Sequence, residues 1–474
     1  MARAMEQHLA EEAALEAGPP PIWEPMTQRR VLRLSIPIIG ENLLQTAVGA
    51  VDTLLVSQLG SDAIAGVGIG VEVVFFIVAI LSAVSIGATV LVAQAVGAND
   101  QRRANDLTRQ AISWGLLFAI PLSIGGFYLA GPIVRAFGPE PIVAHDGTRY
   151  MEVIAANSVW LMLSFMLGAV LRGTGDGRTP LKAAVLANIV NVVAAYGLIF
   201  GHFGLPELGV AGSAWGASLG RAIASMFMLW VLWRGNASVW IRSKSGWRPH
   251  REIGRDLFRL GIPAAVEQIL IEAGFTFIVA ITASLGTKSL AAQQIAFTAM
   301  SLGFLPGIGF QITATALVGQ SVGARRFGDA VKAAHIARRW AVVWTSCGMV
   351  FYLIFAKQLL GLFTSDPEVI RLGTNALRAI GVTLPLWGLW MTGAGALRGS
   401  GDTRSPMIRG VTVVWLSVVL AWVGVHFFHQ SITWVWATFI ITGPITAIGN
   451  WRGFARRAKD LIQEHGPEPQ TASV

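Results

Sequence analysis

The chain has 474 residues, 53% of them hydrophobic and 13% charged, with a mean hydropathy of +0.58. A soluble domain carries about 25% charged residues, so a soluble reading would need several domains with greasy surfaces and is excluded. The net charge of +9 sits in short segments beside apolar runs, where it signals membrane orientation and gives no reason to expect a nucleic-acid partner.

Residues 1–30 hold Glu6, Glu11, Glu12, Glu16 and Glu24 and the run Pro19 to Pro21, without the basic and apolar regions of a signal peptide. They read as a cytosolic tail. Apolar runs long enough to cross a bilayer as a helix, about 20 residues, follow at 31–58, 64–96, 104–130, 144–171, 180–202 and 208–234. A basic segment at 235–256 forms a cytoplasmic linker. Six more spans are predicted at 257–284, 290–322, 330–356, 370–397, 406–428 and 431–453, before a second cytosolic tail at 456–474. The lobes are thus 31–234 and 257–455. The single cysteine, Cys347, excludes an intrachain disulfide.

The two sets of six are copies. At a constant offset of 226, Pro37 corresponds to Pro263, Glu41 to Glu267 and Gly60 to Gly286. TVLVAQAVGA ending at Ala98 corresponds to TALVGQSVGA ending at Ala324, and LRGTGDGRTP ending at Pro180 to LRGSGDTRSP ending at Pro406. Alternate loops differ in cations: 29 Lys and Arg on the side of the N-terminus and 6 on the other. The positive-inside rule puts both termini in the cytoplasm, in the plasma (inner) membrane of a cell. An even number of spans per copy gives both copies one orientation and a pseudo-two-fold axis along the membrane normal. The fold class is an all-α membrane protein of twelve transmembrane helices in two six-helix lobes.

VDTLLVSQLG at 51–60, VAQAVGA at 92–98, LAAQQIA at 290–296 and LVGQSVGA at 317–324, with the two LRGxGD segments, resemble the multidrug and toxic compound extrusion (MATE) transporters of the multidrug/oligosaccharidyl-lipid/polysaccharide exporter superfamily. The resemblance runs from about residue 30 to about 455. It implies V-shaped lobes around a central cavity, and export of amphipathic, often cationic organic compounds. It also implies exchange for H⁺ or Na⁺, with no bound cofactor. A monomer is expected. The alternative within the superfamily is a flippase for lipid-linked precursors or polysaccharide.

A charged side chain at mid-membrane costs about 2.5–3.5 kcal/mol on insertion scales, so each one calls for a role. Glu41, Gln45 and Asp52 fall on one face of the first span. Such a stripe should avoid lipid, and a carboxyl withdrawn from water holds its proton more tightly, as a proton-coupled carrier requires. Asp52 matches the first-helix acid of the family. Asn188 and Asn191 match its paired fifth-helix asparagines, but many proton-coupled relatives carry an acid where this chain has Ala195. The tenth-helix acid of the Na⁺-coupled branch is replaced by Trp387, which favours H⁺ over Na⁺. Glu267 and Glu272 complete the expected ion-coupling set with Asp52, Glu41, Asn188 and Asn191. Gln45, Glu72, Gln268, Trp387 and Trp390 are expected to line the substrate cavity, the two tryptophans by cation–π attraction. The lobes differ: Asp52 corresponds to Ile278, Glu72 to Thr298 and Glu272 to Thr46. Arg221, deep in the sixth span, is expected to pair with an acid. The LRGxGD segments read as cytoplasmic turns. His426 and His429 lack a third ligand, so no metal site is expected, and no nucleotide loop or catalytic triad points to an enzyme.

Overall fold

The computed structural model describes residues 25–465 apart from 236, 237 and 244. Most of the expected N-terminal tail and the end of the C-terminal one lie outside the described residues. Thirteen helices account for the spans: α1 (Gln28–Ser57), α2 (Ser61–Gly97), α3 (Gln101–Ala136), α4 (Pro141–Ala156), α5 (Ser158–Gly173), α6 (Arg178–Phe200), α7 (Val210–Arg234), α8 (Arg251–Ala283), α9 (Thr287–Gly323), α10 (Phe327–Gly361), α11 (Pro367–Gly399), α12 (Arg404–Phe428) and α13 (Ile432–His465). Ten are long and apolar enough to cross a membrane as single helices. Two bent pairs complete twelve: α4 with α5, at 53°, and the two parts of α9 around residue 302, at 44°.

The repeat extends to the punctuation of the helices. Asn99 and Arg325 both take a left-handed conformation after α2 and α9 (φ 57° and 56°), and Pro141 and Pro367 both open a helix. Proline suits that position because its missing N–H is unpaired there anyway. Gly175 and Gly401, both at φ +89°, turn the chain after LRGTG and LRGSG, a conformation that costs glycine little. Asp176 closes the first of these turns by accepting from the Arg178 and Thr179 amides at 2.9 and 3.0 Å, and Asp402 accepts from the Ser405 amide at 3.0 Å.

Symmetry fails in the bends. The fourth span is broken at Asn157 in the first copy, whose amide donates to Val153 O at 2.9 Å, but α11 runs unbroken through the corresponding Thr383. The second span bends in the second copy, where Pro306 inside α9 cannot donate its backbone hydrogen bond.

The described chain divides into two compact units, Gly40–Ile262 and Pro25–Ile39 with the described residues from Pro263 onward. These limits fall inside α1 and α8, at 39/40 and 262/263, within one helical turn of each other at the 226 offset, and differ from the lobes 31–234 and 257–455. The linker belongs wholly to unit 1 because it is tied down there. Val239 is buried in the core, the Trp240 amide donates to Asn105 at 2.8 Å, and Gln110 donates to the Gly246 and Arg248 carbonyls at 2.7 Å each. Unit 1 is built on Leu81, Met162, Met166 and Leu171; unit 2 on Tyr352, Trp436 and Phe439.

Candidate functional site

In unit 1, α1 and α6 bring the first-helix acid and the second asparagine together. The Asn191 amide donates to both carboxylate oxygens of Asp52, at 3.1 and 3.0 Å. Asn188 instead donates to the Leu44 carbonyl at 3.2 Å, tying α6 to the backbone of α1 about two turns before Asp52. Tyr150 on α4 and Arg221 on α7 interact electrostatically with Asp52 and with each other. Tyr150 is buried, and Asp52 and Arg221 are half-buried. Arg221 makes no ion pair within 4 Å among the described residues, so its expected acid partner acts on it at longer range. The Asn191 Oδ1 is buried without a hydrogen-bond partner.

The position of Ala195 has a steric explanation. A Cβ at Gly216 would lie 2.7 Å from the Ala195 Cβ, and one at Gly220 would lie 3.3 Å from the Asn191 Cβ. Helices α6 and α7 therefore approach through small residues, and Ala195 is 0% exposed. A carboxylate at 195 has no room in this crossing.

The other two acids have cationic partners. Glu41 receives both its bonds from the Arg172 Nη1, at 2.9 and 3.1 Å, and Glu267 receives the Arg398 Nη2 at 2.6 Å. Both pairs span 131 residues and correspond at the 226 offset. The side chains are 11% and 13% exposed in the first pair and 4% and 14% in the second, so both pairs are largely withdrawn from solvent. The LRGxGD arginines thus hold the first helix of each copy to its fourth span in addition to preceding a turn. Their signal in the sequence was the joint recurrence of both acids and both arginines. Glu272 is exposed and accepts from Gln268 at 3.0 Å on the same helix.

The expected cavity residues separate. Gln45, Glu72 and Gln268 are exposed. Trp390 is half-buried; its carbonyl accepts from Asn450 at 3.4 Å. Trp387 is a correction. It is 3% exposed and packs edge-on against Phe304 and Phe439 at 5.4 and 5.9 Å, so its ring faces the core of unit 2. Trp387 and Trp390 are three residues apart, about 60° around the helix, and the face they share packs on the core of unit 2, with Trp387 inside it and Trp390 at its edge. His426 stacks on Trp422, and no group of three or more metal-binding side chains occurs among the described residues.

The MatE family model matches residues 37–197 and 263–423. The chain is 27% identical over 457 residues to the probable multidrug resistance protein NorM of Thermotoga maritima, across 93% of this chain and 97% of that one. It is 29% identical over 436 residues to the probable multidrug resistance protein NorM of Rhizobium meliloti, across 90% and 93%. Among solved structures, a MOP superfamily transporter from Pyrococcus furiosus aligns with a TM-score of 0.85 at 24% identity, covering 92% of this chain and 96% of that one. An outward-facing multidrug resistance MATE family transporter aligns with a TM-score of 0.84 at 24% identity, covering 93% and 97%. These alignments show the fold.

Proposed function

The chain belongs to the MatE family, and from that premise we propose that it is a multidrug efflux transporter. It exports amphipathic, often cationic organic compounds in exchange for protons, with Asp52 as the coupling group. Two relatives that it matches along nearly their whole length are named as probable multidrug resistance proteins. Both termini are assigned to the cytoplasm of the plasma (inner) membrane by the cation imbalance between loops.

The observation that carries the proton reading is the pairing of Asp52 with Asn191. While the carboxylate is ionised, the asparagine amide donates to both of its oxygens. A protonated Asp52 has one hydroxyl to donate, and the vacant Asn191 Oδ1 is the acceptor beside it. With Asp52 ionised the Asn191 Oδ1 stands without a partner, and protonation supplies the hydroxyl that satisfies it, so the pair accommodates both states of the acid. Arg221 offsets the carboxylate charge and leaves a net positive centre once Asp52 is protonated. A positive centre repels a cationic substrate, which links proton entry to substrate release.

Efflux of a fluorescent organic cation from proteoliposomes, with a pH gradient and a Na⁺ gradient imposed separately, tests this. Export should follow the pH gradient alone and vanish in Asp52→Asn, which inserts normally. Export driven by Na⁺, or unchanged in Asp52→Asn, would end the proposal. A second reading, a flippase for lipid-linked precursors, draws on Arg221, a cation within a span near the coupling acid. It would predict binding of pyrophosphate-linked lipids and no cation efflux under either gradient.

A further inference from the structure

The segment preceding the first helix of the second copy is a strap held in unit 1. Ser238, Trp240, Gly246 and Arg248 are gripped along α3 through their backbone by Gln101, Asn105 and Gln110, and the His250 amide donates back to Gln110 at 2.7 Å. At the 226 offset, residues 238–250 correspond to 12–24, and the gripping face of α3 corresponds to α10. That face of α10 carries a cavity of about 540 Å³, lined by Gln28, His335, Arg338, Arg339, Val342 and Val343 among others.

The chemistry of the face has been exchanged. Gln101, Asn105 and Gln110 correspond to Phe327, Val331 and Ile336, so the amide grip is lost. In return Arg109, Ile112 and Ser113 correspond to His335, Arg338 and Arg339. Among the described residues, no carboxylate pairs with these three. Arg338 rests over the Trp451 ring at 4.7 Å and His335 stacks on the same ring at 5.7 Å, which gives the face an aromatic edge. Residues 12–24 contribute Glu12, Glu16 and Glu24, with Glu11 adjoining, and no cation. The segment also joins at the right place: it continues from Pro25, three residues before Gln28 on the rim of the cavity.

We propose that residues 11–24 dock as an acidic strap in the basic cavity on α10, the counterpart in unit 2 of the backbone-held strap on α3. Charge replaces amide bonding as the means of attachment. The docked state is therefore sensitive to salt, while the strap of unit 1 is not. The rival occupant of a basic, aromatic-edged cavity at the cytoplasmic end of a span is the phosphate of an anionic lipid.

The test uses the full chain with its exposed Cys347 replaced by serine. Cysteines at Ala17 and Val343 are joined by a short bismaleimide, with the protein in nanodiscs of zwitterionic lipid and then with anionic lipid added. A control pair carries its second cysteine at Val350, about 10 Å further along α10. The 17–343 pair should react at least about tenfold faster than the control in both lipids. Arg338→Glu with Arg339→Glu should remove that advantage, and Glu12→Lys, Glu16→Lys and Glu24→Lys in the same chain should restore it, which also shows that the charge-reversed protein is folded. A 17–343 rate equal to the control, or indifferent to the charge reversals, would overturn the proposal. So would an advantage lost on adding anionic lipid, because lipid phosphate would then own the cavity.

Discussion

Where unit 1 places Asp52, Tyr150 and Asn191, unit 2 has Ile278, Ala376 and Ser417 at the corresponding positions, each 0% exposed. Ser417 bonds its own helix at Val413 O and the Thr442 hydroxyl at 2.7 Å, a neutral joint between α12 and α13. The same frame thus encloses an ionisable centre in one copy and an inert, close-packed one in the other. What the copies share is the pair of ionic ties, Glu41 to Arg172 and Glu267 to Arg398. Duplication kept the parts that hold the helices and let the chemistry diverge.

The ionic ties should give the largest effects and the same effect in both copies. Arg398→Met leaves Glu267 buried and uncompensated, which costs about 3 kcal/mol of stability. Arg172→Met should cost slightly less, since Glu41 is somewhat more exposed. Thermal unfolding in detergent reads both, and the exchanges Glu41→Arg with Arg172→Glu, and Glu267→Arg with Arg398→Glu, should recover most of the loss. A loss confined to one copy would mean that the two ties are not equivalent.

Next comes the ionisable centre, where the copies should part. Asn191→Leu removes hydrogen bonds to a charged group, worth about 1.5–3 kcal/mol, and should slow export by about tenfold or more. Ser417→Ala should leave export within about twofold. Equal slowing would mean that unit 2 takes part in coupling through its neutral joint.

The smallest effect belongs to Asp366, the N-cap of α11, outside the spans. The Glu368 backbone amide, chiefly, holds its carboxyl below the ordinary range, with help from the Val369 amide and the charge of Lys288. A group lowered on folding stabilises above its unfolded value, about 3.9, and the contribution is lost as pH falls through its folded value. Asp366→Asn, which retains a capping oxygen, should match the parent protein in acid and fall slightly below it at neutral pH, as read by melting temperature against pH.

Much of the frame was legible in the sequence because burial in lipid enforces long apolar runs, and because a duplication repeats its signals. The paired turns after Arg172 and Arg398 and the twelve spans followed from these. The partners of Glu41 and Glu267 did not, since periodicity speaks only of one helix and each partner lies 131 residues away. Asp52 with Asn191 was reached through family resemblance; neither residue alone announces the other. The sense of Trp387 was missed because a rotation around α11 decides between core and cavity, and the apolar residues on both sides of it set no clear face. The bend at Asn157 has no proline to mark it.

The contact of α6 with α7 has one more consequence. Gly212, Gly216 and Gly220 recur every fourth residue, and their backbone sits against Leu198, Ala195, Ala187 and Asn191 with no space for a side chain between. Two helices meshed so closely cannot slide or roll on each other without collision. They form a single plank, and Asn191 is nailed to it. A reporter attached at any exposed site along α7, such as Trp215 or Met226, would therefore register the same displacement that Asn191 feels, without touching the polar centre itself.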